Sequence, residues 1–92
     1  MQVGYIKNKQ ILQDKISKII KTHRLAKKKS ISLISDEISM TKSMWADLEK
    51  AIKDPQLSTL WRISEGLEIP LSVLIKELEA SLDKDFTLID NI

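Results

Sequence analysis

The chain has 92 residues, enough for one domain with a single hydrophobic core and too few for a second independent one. It has no cysteine and one histidine, His23, which excludes a disulfide framework, a thiolate metal site and a multi-histidine centre. We therefore expect no metal and no cofactor. The N-terminus lacks the apolar segment of a signal peptide and no apolar run could span a bilayer, so we expect a cytoplasmic location.

The net charge of +2 hides a separation of the two signs along the chain. Residues 7–29 carry nine Lys and Arg against Asp14 alone, whereas residues 30–92 carry six basic and twelve acidic side chains. A basic segment attracts a polyanion through salt-dependent phosphate contacts, although it also forms ordinary solvated helix faces. Charge alone leaves both interpretations open.

Few glycines, prolines and aromatic residues interrupt the sequence, so we expect helices rather than a sheet. Apolar residues at helical spacing predict an amphipathic first helix from about residue 8 to 27. Its inward positions are Leu12, Ile16, Ile19, Ile20 and His23. We place His23 at the edge of the core, because no second histidine or nucleophile accompanies it.

Two short helices follow, each with its own capping residue. Ser30 is a suitable N-cap for a second helix that ends near Ser39, and Thr41 for a third. The inward positions are Ile31, Ile34 and Ile38 in the second helix and Met44, Trp45 and Leu48 in the third. The outward positions of the third are Lys42, Ser43, Ala46 and Asp47. Two short helices joined by a tight turn indicate a helix-turn-helix, in which the second helix of the pair reads DNA.

Prolines mark the starts of two further helices. After Pro55, the inward set is Leu57, Leu60, Trp61, Ile63 and Leu67, with Gly66 permitting close packing or a chain reversal. After Pro70, the apolar stripe is Leu71, Leu74, Ile75, Leu78 and Leu82. The predicted fold is an all-α bundle of five helices, with a tail at 1–8, the domain at 9–82 and a tail or dimer arm at 83–92.

Residues 20–75 resemble the five-helix Cro/C1-type helix-turn-helix domain, also called the XRE family. The likeness rests on Ile34, Ile38 and Met40 in the helix-turn-helix core, on Thr41 at the start of the reading helix and on Leu48-Glu49 at its end. It continues through residues 55–60 and 63–69. The resemblance implies a compact lambda-repressor-like bundle. It also implies a DNA-binding transcriptional regulator that is not an enzyme: a repressor that binds a palindromic operator as a dimer.

The sequence departs from the family pattern at several positions. Ile31 stands where the family commonly has a glutamine on the DNA backbone, and Ser35 and Ser39 replace an alanine and a glycine. Ala51 replaces the glycine after the reading helix, which predicts either a strained left-handed residue or a different loop. Trp45 occupies a position that is usually aliphatic, so we expect more room around the third helix and a role as core anchor.

The resemblance also implies a set of functional residues. Base-reading positions are Lys42 (guanine O6 and N7), Ser43, Ala46 (thymine methyl) and Asp47 (cytosine N4). The expected phosphate-binding residues are Thr41, Lys50, Lys53, Lys27, Lys28 and Lys29. Main-chain N–H groups at the starts of the second and fourth helices are expected to bind phosphate as well. Arg24 is expected to pair with Glu49. The expected dimer interface is Leu74, Leu78, Leu82, Phe86 and Leu88.

Two other interpretations stay open. In the first, the protein is an antitoxin or helical adaptor that acts mainly through a toxin or another protein partner, because the acidic half from residue 65 onward would suit a basic partner. In the second, the protein is a monomer that buries its fifth helix against its own core.

Overall fold

A computed structural model describes residues 3–89, and over this range the chain forms helices and no strand. The helices are α1 (Val3–Ala26), α2 (Ile31–Glu37), α3 (Lys42–Glu49), α4 (Leu57–Leu67) and α5 (Leu71–Ser81). The predicted all-α bundle of five helices is confirmed. Within the described range, no helix is long and apolar enough to cross a membrane.

The first helix begins earlier than its apolar spacing predicts. It starts at Val3 rather than near residue 8, so residues 3–8 belong to the helix instead of forming a tail. The early turns of α1 have a long-range partner, because Asn8 Nδ2 donates a hydrogen bond to the Thr87 carbonyl at 2.7 Å. Residues 86–88 are half-buried, so this part of the expected C-terminal arm packs on the same chain, whereas residues 83–85 and 89 are exposed. Residues 90–92 of that arm lie outside the described range.

The predicted N-caps of α2 and α3 are confirmed. Ser30 Oγ accepts from the Leu33 N–H at 3.0 Å, and Thr41 Oγ1 accepts from the Met44 N–H at 3.1 Å. Both hydroxyls satisfy N–H groups that have no partner inside the helix. Residues 38–41 separate the two helices. The chain reverses there at Ser39, which has a φ of 56°.

The core is formed by one or more side chains from every helix. The buried apolar residues are Ile16, Ile20, Ile34, Met40, Trp45, Leu48, Ile63, Leu67 and Leu74. Trp45 is fully buried, as its expected role of core anchor requires.

Three residues that were predicted to face inward are exposed. Met44 is 39% exposed, Leu57 72% and Trp61 59%. A short helix buries only a narrow stripe of side chains, and on α3 this stripe consists of Trp45 and Leu48. On α4 the buried stripe does not include Leu57 or Trp61. These two residues lie one turn apart on the same side of the helix, and that side faces solvent.

Gly66 permits close packing between α4 and α2. A Cβ at this position would lie 2.8 Å from Ile38 Cγ2 and 3.3 Å from Ile34 Cγ1. The reversal that follows α4 is made instead by Glu68, with a φ of 59°. Of the two roles considered for Gly66, close packing is therefore confirmed.

The end of α3 adopts a left-handed residue without a glycine. Ala51 has a φ of 60°, so the strained alternative is the one observed. The Ala51 N–H donates to the Leu48 carbonyl at 3.2 Å, and the Ile52 N–H donates to the Asp47 carbonyl at 3.0 Å. This is the Schellman arrangement of a helix C-terminus.

Candidate nucleic-acid interface

The solvent-facing side of α3 carries the four predicted base-reading residues. Lys42 and Ser43 are exposed, and Ala46 and Asp47 are half-buried. The opposite side is fixed in the core by Trp45 and Leu48, so α3 has one orientation on the domain. The structure therefore presents the four residues together on one side of a rigid helix.

A groove of about 480 Å³ extends this surface from α3 to the start of α4. Its lining includes Ser43, Asp47 and Lys53, and also Met44, which the sequence pattern had assigned to the core. The reading face is thus continuous with the loop after α3. The apolar spacing of the sequence could not show that Met44 is exposed, because an exposed methionine and a buried one look the same in the pattern.

Four of the predicted phosphate-binding lysines have exposed side chains. Lys27 and Lys28 follow α1, and Lys50 and Lys53 follow α3. A fifth predicted residue, Thr41, is exposed at the start of α3, where its oxygen also caps the helix.

Lys29, also predicted to bind phosphate, is occupied inside the fold. Its Nζ donates to Glu37 Oε1 at 2.8 Å, to the Gly66 carbonyl at 3.1 Å and to Glu68 Oε1 at 3.2 Å. The hydrogen bond to Glu37 is the main reason why the pKa of Lys29 lies above its usual value. Lys29 therefore ties the loop after α1 to α2 and to the end of α4, because its donors are used there.

The starts of α2 and α4 differ in how their N–H groups are satisfied. Ser30 caps α2, whereas Gln56 at the N-cap of α4 makes no side-chain cap hydrogen bond. The first N–H groups of α4 thus stay free to donate to an anion.

Glu49, at the end of α3, accepts hydrogen bonds from two helices. Arg24 donates from Nε to Oε2 at 2.5 Å and from Nη2 to Oε1 at 3.0 Å, and Trp45 Nε1 donates to Oε2 at 2.6 Å. Arg24 Nη1 also donates to the Lys29 carbonyl at 2.9 Å. The structure thus brings together the Arg24 and Glu49 side chains that the resemblance paired. This network fixes the end of α3 to α1.

The charges of this network follow from its hydrogen bonds. Burial raises the pKa of Glu49, but the hydrogen bonds from Arg24 and Trp45 outweigh burial, so the pKa lies below its ordinary value. The hydrogen bond to Glu49 raises the pKa of Arg24 against the opposing effect of burial. Both side chains are therefore held in their charged forms.

Arg62 supports the helix-turn-helix, although no sequence pattern singled it out. Its Nη2 donates to the carbonyls of Ile38 and Ser39, both at 2.7 Å. These carbonyls end α2 and begin the turn, so Arg62 holds the turn against α4. The contact leaves no sequence signature, because both acceptors are main-chain atoms.

The predicted dimer interface on α5 is used largely within the chain. Leu74 is completely buried, and Leu78 packs against the core. Leu82, Phe86 and Leu88 are half-buried. The apolar stripe of α5 therefore packs largely on the chain's own core. Leu74 in particular has no surface to offer a partner.

Across residues 3–89, no cluster of three or more His, Asp or Glu side chains is suited to hold a metal ion. The side chains around α3 place hydrogen-bond donors, one carboxylate and apolar groups on one surface. The order of the five helices, with α2 and α3 joined by the short turn at residues 38–41, defines an all-α helix-turn-helix fold.

Comparison with solved structures supports this fold. A point mutant of the restriction-modification controller protein C.Esp1396I superimposes with a TM-score of 0.71 and 23% identity, covering 76% of this chain and 89% of that one. An HTH_3 family transcriptional regulator from Vibrio cholerae has a TM-score of 0.71 and 22% identity over 78% of this chain. The match spans only 41% of the Vibrio protein. No protein-family model and no curated protein matches the chain.

Proposed function

We propose that the protein is a transcriptional regulator that binds double-stranded DNA sequence-specifically. The observation that carries this proposal is the outward face of α3, where Lys42, Ser43 and Asp47 stand beside exposed lysines. The two proteins that share the fold are named as a restriction-modification controller and a transcriptional regulator, which supports the same function here.

In this proposal α3 lies in the major groove and its outward residues read base edges. Lys42 donates to guanine O6 and N7, Ser43 donates or accepts, and Ala46 contacts a thymine methyl group. Asp47 accepts a hydrogen bond from cytosine N4, which offsets its repulsion from the phosphates.

Anchoring to the DNA backbone comes from groups around this helix. We assign phosphate contacts to Thr41, Lys50 and Lys53, to Lys27 and Lys28, and to the free N–H groups at the start of α4. Lys29 is left out of this set, because its ammonium is bound by Glu37 and Glu68.

A single domain makes few contacts, so we propose a two-fold dimer that represses from a palindromic operator. The dimer surface we assign is α4 rather than α5. Trp61 is 59% exposed and, together with Ile69, Pro70 and Leu71, lines a groove of about 400 Å³. In a two-fold interface, the Trp61 of each copy can enter the groove of the other.

A selection of bound duplexes from a random pool, at about physiological ionic strength (roughly 0.15 M), tests this function. We expect enrichment of a motif with two-fold symmetry, and loss of preference at one base pair per half-site for Lys42→Ala. Failure to enrich any motif would overturn sequence-specific binding. Recovery of a basic protein partner in place of DNA would favour the antitoxin or adaptor interpretation.

A further inference from the structure

Ile52 is an exposed aliphatic residue beside the reading helix. It is 61% exposed and lies in the loop after α3, between the exposed Lys50 and Lys53. Its N–H donates to the Asp47 carbonyl at 3.0 Å, which fixes its main chain next to a proposed base-reading residue. The position of Ile52 is therefore set by the end of α3 and not by a free loop.

The exposure of Ile52 has a local cause. In the Schellman arrangement, the residue at the position of Ile52 commonly packs its side chain on the residue at the position of Asp47 or on the one before it, Ala46. Here these two residues offer a carboxylate and a single methyl group, which give an aliphatic side chain little apolar surface. The side chain of Ile52 is consequently left in solvent, close in the chain to Lys50 and Lys53, to which we assign phosphate contacts.

We infer that Ile52 is a specificity-determining residue that contacts the 5-methyl group of a pyrimidine in the major groove. This inference rests on the proposed function. The 5-methyl group is the apolar group that the major groove displays, so it matches an aliphatic side chain placed among polar and charged groups. Thymine and 5-methylcytosine both supply it, and the two arms of the experiment below distinguish them.

The thymine arm starts from the preferred site and replaces each thymine singly with uracil, which removes the methyl group and nothing else. For the wild type, we expect Kd to rise about fourfold at one base pair per half-site, the ratio that corresponds to one buried methyl group. For Ile52→Ala, we expect no change at that base pair. The cytosine arm replaces each cytosine singly with 5-methylcytosine, and a gain of about fourfold for the wild type alone would assign the contact to that base.

Leu25→Ala is the matched control, because Leu25 is 55% exposed on α1 and is also aliphatic. It should respond to uracil and 5-methylcytosine as the wild type does. Equal responses of the wild type and Ile52→Ala at every position would overturn the inference and assign Ile52 to the sugar backbone or to solvent. Such a result would leave DNA binding intact, whereas a wild type that binds no DNA overturns the proposed function as well.

Discussion

The position of α3 depends on the carboxylate group of Glu49. Its side chain is 7% exposed, and it accepts hydrogen bonds from Arg24 and Trp45. Replacing both Arg24 and Glu49 by well-packed apolar residues would change the free energy of unfolding little. Removing only one of them is costly, because the charge of the other is then buried without a partner. The end of the proposed reading helix is therefore held by a charged contact with α1.

Removal of Arg24 should destabilise the domain strongly. In Arg24→Met the Glu49 carboxylate keeps only the donor from Trp45, so we expect the free energy of unfolding to fall by about 3 kcal/mol. Urea denaturation followed by circular dichroism measures this change. Lys18→Met, an exposed position on the same helix, should stay within about 0.5 kcal/mol of the wild type. Equal stability of Arg24→Met and the wild type would show that the pair contributes nothing.

Single substitutions around α3 should distinguish residues that contact bases from residues that contact phosphates. We expect Lys42→Ala to cost roughly 1–3 kcal/mol on the preferred site and much less on random DNA, because only a base contact carries sequence preference. Lys53→Ala should weaken both kinds of DNA equally and lower the salt slope by about one unit. Fluorescence anisotropy at several salt concentrations gives both quantities. A uniform loss for Lys42→Ala would assign it to phosphate.

The starts of α2 and α3, which are capped by their own side chains, were predicted correctly, whereas the start of α1 was not. Ser30 and Thr41 act through N–H groups three residues away, so their roles are visible locally. The early turns of α1 are joined to Thr87 through Asn8, a contact that no local pattern contains. The side on which Trp61 faces depends likewise on which helices cover α4.

The side-chain network around the helix-turn-helix was predictable only where a family resemblance supplied it. The Arg24 pair followed from that resemblance. The acceptors of Arg62 and one of those of Lys29 are main-chain carbonyls, which every residue possesses. Sequence alone therefore predicted Lys29 as a free surface charge, whereas the fold uses it to join three segments.

The end of α3 offers a stabilising substitution. Ala51 is left-handed at a φ of 60°, a conformation that costs an L-residue roughly 1–2 kcal/mol. After allowing for the greater freedom of glycine in the unfolded chain, we expect Ala51→Gly to stabilise the domain by about 1 kcal/mol and to raise Tm by roughly 4–8 °C. Ala80→Gly, inside α5, should lower stability by a similar amount. A lower Tm for Ala51→Gly would contradict the assigned backbone conformation.

At the scale of the whole molecule, α1 and α5 pack against each other, and the contacts that we propose with DNA and a second copy lie on α3 and α4. The segment after α5 contacts the early turns of α1, because Asn8 donates a hydrogen bond to the Thr87 carbonyl and residues 86–88 are half-buried. Large exposed apolar side chains do remain on α4, at Leu57 and Trp61. Because Leu78 and Leu82 pack within the chain, substitutions there would test folding and not assembly.

Trp61 therefore provides the test of assembly. We expect the wild type to be a dimer by light scattering at micromolar concentration and Trp61→Ala to be a monomer, because the indole is the largest apolar group on that face. Trp45 is fully buried, so a change in tryptophan emission on dilution should report Trp61 leaving the interface. Ile6→Ala, at a residue 57% exposed on α1, should stay dimeric.

The loss of the dimer in Trp61→Ala should also change its binding to DNA. If two copies read one palindrome, Trp61→Ala should lose affinity for the full site while keeping the wild-type affinity for an isolated half-site, because its reading helix is untouched. A monomeric wild type, or a dimeric Trp61→Ala, would remove α4 as the interface. Equal losses on the half-site and the full site would mean that Trp61 supports the fold of the reading domain and does not join two copies of it.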